Sequence, residues 1–271
     1  MSTAKNNINQ KHKYFMKLAY NQAGKVLGNT GKNPAVGCVI VKNNTLISLT
    51  HTNVNGRPHA ERIALSSKKI NFKDSLLYST LEPCSHYGKT SPCTNIIIKK
   101  YIKSVYFSKF DPDKRSFKKA KKELSKYNIK TFKNIYKSAG DKFYKDFYIR
   151  KRTNNIFISS KLATSKDLFI SDKYKKWITN VYSRYRVHLL RANHDCILTT
   201  SKTILKDNST LNCRIDGLQK YSPKRFVIDK NLSIPITSKI IRTANKISTY
   251  VFYNLIDNFK LEKLNSIKLK Q

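Results

Sequence analysis

His59-Ala60-Glu61, followed after a helix-like run and a short apolar strand by Pro83-Cys84-Ser85-His86-Tyr87-Gly88-Lys89-Thr90-Ser91-Pro92-Cys93, is the stretch around which this 271-residue chain is organised. One imidazole and two thiolates, from His59, Cys84 and Cys93, supply three corners of a zinc tetrahedron and leave the fourth to water. That open corner distinguishes a catalytic zinc from a structural one. His59 binds through one ring nitrogen, the other being held by an acceptor the sequence does not identify. The Glu61 carboxylate, two residues on, is placed to accept a proton from water and return it to a leaving group. Hydrolytic removal of an exocyclic amine from an aromatic ring requires those two proton transfers.

Strand and helix patterns alternate on both sides of this stretch. Phe15, Leu18, Ala19 and Ala23 recur at helical intervals over 12–27, after a polar segment 1–11 expected to fray. Val36–Val41 is β-branched and reads as a strand, Asn43-Asn44 as a turn, and Leu46–Thr50 as a second strand. Pro58 suits the first turn of a helix running through Ile63 and Leu65. A strand over Ser75–Thr80 then delivers Cys84, Thr94–Lys100 is a helix, and Ser104–Phe107 is a strand. Asp111-Pro112-Asp113 is a turn, 114–127 a lysine-rich helix, Ile129–Phe132 a short strand, and 137–152 helical. The alternation predicts an α/β/α sandwich. Beyond residue 150, strands are expected at Ile156–Ser160, Cys196–Thr200, Arg225–Asp229 and Thr249–Tyr253, with a helix over 173–193. The chain therefore divides into domains 1–150 and 151–271.

A net charge of +38, from 54 Lys and Arg against 16 Asp and Glu, ordinarily points to nucleic acid or an anionic membrane. Here lysine is spread throughout, no basic tail stands out, and the charge reads as a solvated surface that attracts small anions. Nucleic acid is thus not the expected partner. Five cysteines do not form a secreted disulfide framework; Cys38, Cys196 and Cys213 lie in or beside apolar runs and read as buried thiols. No stretch approaches the length of an apolar membrane span and the N-terminus lacks a signal core, so a cytoplasmic location without a membrane partner is expected.

His-x-Glu followed by Pro-Cys and a second cysteine is the pattern of zinc deaminases of nucleobases, although their usual cysteine spacing is shorter. With Asn33-Pro34-Ala35-Val36-Gly37-Cys38, His51, Gly56-x-Pro58-His59-Ala60-Glu61, the long cysteine loop and Asp111-Pro112, the first half resembles one family throughout. These are the bifunctional riboflavin-biosynthesis proteins that join a diaminohydroxyphosphoribosylaminopyrimidine deaminase to a 5-amino-6-(5-phosphoribosylamino)uracil reductase. The resemblance implies a three-layer α/β/α cytidine-deaminase-like domain followed by a truncated α/β dihydrofolate-reductase-like domain. It also implies a phosphorylated pyrimidine substrate, with Asn33 and His51 on the substrate side. His86 and Lys89 of the cysteine loop are suited to face the phosphate. Self-association as a homo-oligomer is compatible with it.

The likeness extends into the second half through Lys161-Leu162-Ala163-Thr164-Ser165-Lys166-Asp167 and Trp177-Ile178-Thr179. It implies NADPH contacts at Ala163, Trp177, Thr203 and Asp207, and substrate contacts at Arg191, Leu211 and Arg214. This half also departs from the family pattern. Leu168 stands where a glycine is expected, Lys175 where a small residue is, Asn208-Ser209 where Asp-Pro is, and Lys230 where a serine is. No glycine follows Gly217, although glycine-rich backbone is what cradles cofactor phosphates. Reductase activity is therefore expected to be impaired or absent. Two other functions stay open on sequence: a cytidine, deoxycytidylate or tRNA-adenosine deaminase, and a basic nucleic-acid-binding protein with a structural zinc.

Overall fold

A computed structural model describes residues 2–170 and 177–254. The chain forms two compact units, Met1–Ser159 and Ser160–Gln271.

The first unit begins with α1 (Ser2–Gly24), then β1 (Gly37–Lys42), β2 (Thr45–His51) and the short α2 (Ala60–Ala64). It continues with β3 (Leu76–Leu81), α3 (Cys93–Lys99), β4 (Ser104–Lys109), α4 (Ala120–Ser125) and β5 (Lys130–Phe132), and closes with α5 (Lys137–Phe143) and α6 (Lys145–Thr153). The sheet order is β2-β1-β3-β4-β5. β1 runs antiparallel to both neighbours, while β3, β4 and β5 are parallel. Asn43 and Asn44, at φ 47° and 65°, make the tight hairpin between β1 and β2.

Gly37 through Val41 are all buried, so helices cover both faces of the sheet. α1 packs on β1 and β3, whereas α2 packs on β1 and β2 and continues laterally into α3 and α4. Gly37 admits α1 at its closest: a Cβ there would stand 1.8 Å from the Ala19 carbonyl oxygen.

Three local expectations are corrected. α1 starts at Ser2, not at 12, because the lysines and asparagines of the first turns tolerate a helix without supplying apolar periodicity. Pro58 is not in a helical first turn; it follows a cis bond from Arg57, and His59 caps α2. The helix expected over 114–127 shrinks to α4, because the N–H groups of Lys118 and Ala120 are drawn to the Glu82 carboxylate at 3.0 and 3.1 Å.

The second unit contains α7 (Val181–Ala192), β6 (Cys196–Thr200), α8 (Ser201–Asp207), β7 (Lys224–Ile228), α9 (Lys239–Arg242) and β8 (Thr249–Phe252). Its sheet is parallel, in the order β6-β7-β8. Ile204, Val227, Leu232, Ile234, Ile240 and Ile241 form the core. The Ile156–Ser160 segment is not a strand: Ile156 and Ile158 are exposed and find no partner ladder among the described residues. α7 starts at Val181 because Asn180 caps it, its side chain accepting from the Ser183 N–H at 2.8 Å; residues 173–176 of the expected helix lie outside the described residues. Cys38 and Cys213 are buried as expected, but Cys196 is exposed, since β6 turns alternate residues outward.

Candidate metal centre and active-site cleft

His59, Cys84 and Cys93 converge, their ligand atoms all within 4.8 Å of one another. Each sits where an element ends: His59 at the cap of α2, Cys84 just past β3, and Cys93 on the first residue of α3. His59 Nδ1 is 3.6 Å from Cys84 Sγ and 3.5 Å from Cys93 Sγ. Zinc bonds of about 2.3 Å to sulfur and about 2.0 Å to nitrogen at tetrahedral angles give an edge of about 3.6 Å. The triad thus fits zinc, and Nδ1 is the nitrogen turned to the two sulfurs.

The electrostatics agree. The Cys84 thiol is depressed to about 4 by its bond with Cys93, aided by His59 and by the Cys93 backbone N–H, which donates to Cys84 Sγ at 3.2 Å. Cys93 is pushed the other way, first by the same sulfur contact and then by burial and Glu61. The pair carries one negative charge readily, and the second needs a cation between the sulfurs. His59 is raised, chiefly by its bond to Cys84.

Glu61 enters from the first turn of α2 and is buried. Its Oε2 is 3.5 Å from Cys93 Sγ, and its Oε1 accepts the Ser79 hydroxyl at 3.0 Å. Burial raises the carboxyl, against a smaller opposing pull from His59. A carboxyl whose proton affinity is raised by burial, beside a metal triad, is equipped to take up and give back a proton.

Asn33 lines the same cleft, and its Nδ2 donates to the Gly56 carbonyl at 2.9 Å. That bond settles the amide orientation and leaves Oδ1 as the acceptor for a ligand. His86 also lines the cleft, with Nδ1 2.7 Å from Ser116 Oγ. Two other sequence candidates lie elsewhere: His51, at the end of β2 with Nδ1 2.9 Å from the Thr52 carbonyl, and the exposed Lys89 are not among the lining residues. Instead Lys32, Arg57, Arg115 and Lys151 supply positive charge, and Glu82, Asp111 and Asp113 bring carboxyl groups. Arg115 forms a two-point pair with Asp113 at 2.9 and 2.7 Å, which holds that carboxyl well below its usual range. In a lysine-rich chain none of the four cations has a local signature, whereas Asp111 belongs to the Asp111-Pro112 pair of the family pattern.

A RibD protein of Aquifex aeolicus is 32% identical over 259 residues, covering 95% of this chain and 72% of that one. The chain belongs to the RibD family. The RibD protein of Haemophilus influenzae is 34% identical, and the match spans 84% of this chain and 65% of the relative. Residues 9–109 match the zinc-binding region of cytidine and deoxycytidylate deaminases, and residues 157–269 match the RibD C-terminal domain. The chain is therefore a cytidine-deaminase-like α/β domain followed by a RibD C-terminal domain. Among solved structures, the Thermotoga maritima diaminohydroxyphosphoribosylaminopyrimidine deaminase/5-amino-6-(5-phosphoribosylamino)uracil reductase aligns with a TM-score of 0.82 at 30% identity. That alignment covers 92% of this chain and 71% of that structure. RibD of Acinetobacter baumannii aligns with a TM-score of 0.77 at 28% identity, covering 97% and 74%.

In the RibD C-terminal domain, Arg191 and Arg214 are brought together. Arg191 Nη1 donates to the Asn212 carbonyl at 3.0 Å, and Arg214 Nη2 lies 3.3 Å from Nε2 of His188, whose Nδ1 faces the same carbonyl at 3.1 Å. His188 was not a sequence candidate. Leu211 is buried in the core, while Thr203 and Asp207 lie on α8. Ala163 is in an irregular segment, and the half-exposed Trp177 ring lies 4.9 Å from the Arg184 guanidinium. Leu168 adopts φ 68°, a left-handed conformation that suits the glycine the family pattern has there and strains a leucine. Lys175 lies outside the described residues.

Proposed function

We propose that the first unit is a zinc-dependent deaminase of riboflavin biosynthesis. It would convert 2,5-diamino-6-(5-phosphoribosylamino)pyrimidin-4(3H)-one to 5-amino-6-(5-phosphoribosylamino)uracil and ammonia. The observation that carries the reading is the position of Glu61 Oε2, 3.5 Å from a sulfur of a triad whose two nitrogen–sulfur edges match zinc.

His59, Cys84 and Cys93 would hold the zinc, which would supply the Lewis acidity that makes water nucleophilic near neutral pH. Glu61 accepts the proton lost by the attacking water, with Ser79 holding Oε1 so that Oε2 stays turned to the centre. One C–O bond forms at C2, the C2–N bond breaks, and Glu61 returns its proton to the departing amine, which leaves as ammonia. Asn33 Oδ1 accepts from the pyrimidine ring, and His86 meets the phosphate, with Lys89 and His51 contributing from outside the cleft lining. Burial of Glu61 raises its proton affinity, which favours its taking up the proton.

The second unit is proposed to have impaired or absent NADPH-dependent reductase activity. The strained Leu168 beside the cofactor-side segment supports this, while Ala163, Trp177, Thr203 and Asp207 are the cofactor positions and Arg191, Leu211 and Arg214 the substrate positions. A cytoplasmic setting, whose reducing conditions keep Cys84 and Cys93 available to metal, and a homo-oligomeric state belong to the same proposal.

Incubating zinc-loaded protein with the diaminopyrimidine phosphate and NADPH, and following ammonia and cofactor oxidation separately, tests both parts. Ammonia release with little NADPH oxidation is expected. No ammonia would defeat the deaminase assignment, and rapid NADPH oxidation would defeat the second part.

A further inference from the structure

We infer that Arg57 is a specificity-determining residue of the cleft, receiving the phosphate of a phosphorylated pyrimidine jointly with His86; the inference rests on the deaminase reading above. Arg57 precedes Pro58-His59 and lines the cleft with His59, Glu61 and Cys84. Its Nη1 donates to Thr90 Oγ1 at 2.8 Å, which draws the guanidinium across to the cysteine loop. Its Nη2 then stands 3.7 Å from where a Cβ of Gly88 would be, and His86 Nε2 stands 3.9 Å from that same point. Two basic nitrogens thus converge beside the one residue of the loop that has no side chain. His86 is held in this pose through Nδ1 by Ser116, so Nε2 is the nitrogen left for a ligand.

Charge balance narrows the cleft cations to Lys32 and Arg57, and of these it is Arg57 that reaches the cysteine loop beside His86. Arg115 and Lys151 line the same cleft, but both pair with Asp113 at 2.7 and 3.6 Å. Among the described residues no carboxylate pairs with Arg57. A guanidinium outside these ion pairs, beside an imidazole and a glycine, offers the planar N–H edge that phosphate oxygens accept from. Lys89, on the exposed part of the loop, has no comparable anchor in the cleft.

The competing role for Arg57 is only to clasp the cysteine loop through Thr90, and the test separates the two. Zinc-loaded full-length protein is assayed for ammonia release from the phosphorylated diaminopyrimidine and from its dephosphorylated riboside. In Arg57→Ala the ratio of the two kcat/KM values is expected to fall about tenfold or more, through KM of the phosphorylated compound, with partial recovery in Arg57→Lys. Thr90→Val, which removes the clasp and keeps the cation, is expected to lower the ratio much less than Arg57→Ala does. An unchanged ratio in Arg57→Ala, or an equal loss in Thr90→Val, overturns the inference. Perturbation of the His86 ring resonances by inorganic phosphate gives a second readout, expected to weaken in Arg57→Ala. Should the wild-type protein deaminate neither compound, the deaminase reading fails by itself; the phosphate titration then decides on Arg57, equal binding by both proteins overturning its role.

Discussion

Ser79, in the middle of β3, donates its hydroxyl to Glu61 Oε1 at 3.0 Å, so the sheet itself holds the carboxylate that faces the metal triad. Burial makes Glu61 a weaker acid, and the bond from Ser79 partly opposes that. Ser79→Ala therefore raises the pKa of Glu61 further and lowers its ionised fraction at any given pH. The acid limb of the kcat/KM profile is expected to move to higher pH, with zinc content unchanged. A limb that stays in place or moves down would show that Glu61 does not limit the reaction from the acid side.

Gly56 combines φ 87° with close neighbours: a Cβ there would stand 2.5 Å from the Thr30 carbonyl oxygen and 2.7 Å from Asn33 Nδ2. Gly56→Ala must move the Asn33 amide or the backbone that holds it. A stability loss of about 1–3 kcal/mol in thermal or denaturant unfolding is expected. A raised KM should accompany it, because Asn33 loses the carbonyl that orients it.

Glu82 accepts from three backbone N–H groups, yet burial lifts its carboxyl to about 7, and burial lifts that of Asp111 to about 6. In the unfolded chain both protons leave near the ordinary carboxylate values, so between there and pH 7 the folded protein binds more protons than the unfolded one. Stability from these groups is present at low pH and is lost as pH rises through that window. Comparing wild type with Glu82→Gln isolates the Glu82 share. From pH 4.5 to pH 8 the wild type should lose roughly 2 kcal/mol relative to the variant in denaturant unfolding, and parallel pH profiles would contradict this.

Arg225 is a buried cation satisfied by neutral groups. Nε donates to Thr249 Oγ1 at 2.9 Å, Nη1 to the Thr210 carbonyl at 2.9 Å, and Nη2 to the carbonyls of Ile240 and Ile247 at 2.9 and 3.1 Å. Arg225→Met leaves those carbonyls buried and unpaired. A loss of about 3 kcal/mol in the unfolding of the second unit is expected, with zinc bound to the first unit undisturbed. An unchanged unfolding midpoint would show that the guanidinium does not hold this unit together.

The metal triad was legible in sequence because histidine, cysteine and glutamate in that pattern have few other uses, and β1, β3 and β4 because β-branched or buried apolar runs announce a central strand. Charged groups placed by tertiary structure were not legible. Arg57, Lys32 and Arg115 become cleft residues only once β3, β4 and α2 bring distant loops to one rim, and nothing local separates Arg57 from the many other cations. The same holds for Glu82, whose capture of the Lys118 and Ala120 N–H groups shortens a helix that composition alone extends. Ile156 and Ile158 misled for the converse reason: an apolar run reads as a strand whether or not a ladder is there to receive it.

The central claim is that one zinc ion held by His59, Cys84 and Cys93 works with Glu61 as proton carrier. Its most direct test is ammonia release from the diaminopyrimidine phosphate by zinc-loaded wild type and Glu61→Gln, with zinc measured on the same samples. The account predicts about one zinc per chain in both proteins, with deamination abolished in the variant. Turnover by Glu61→Gln at the wild-type rate, or full zinc content retained in Cys84→Ala, would contradict it.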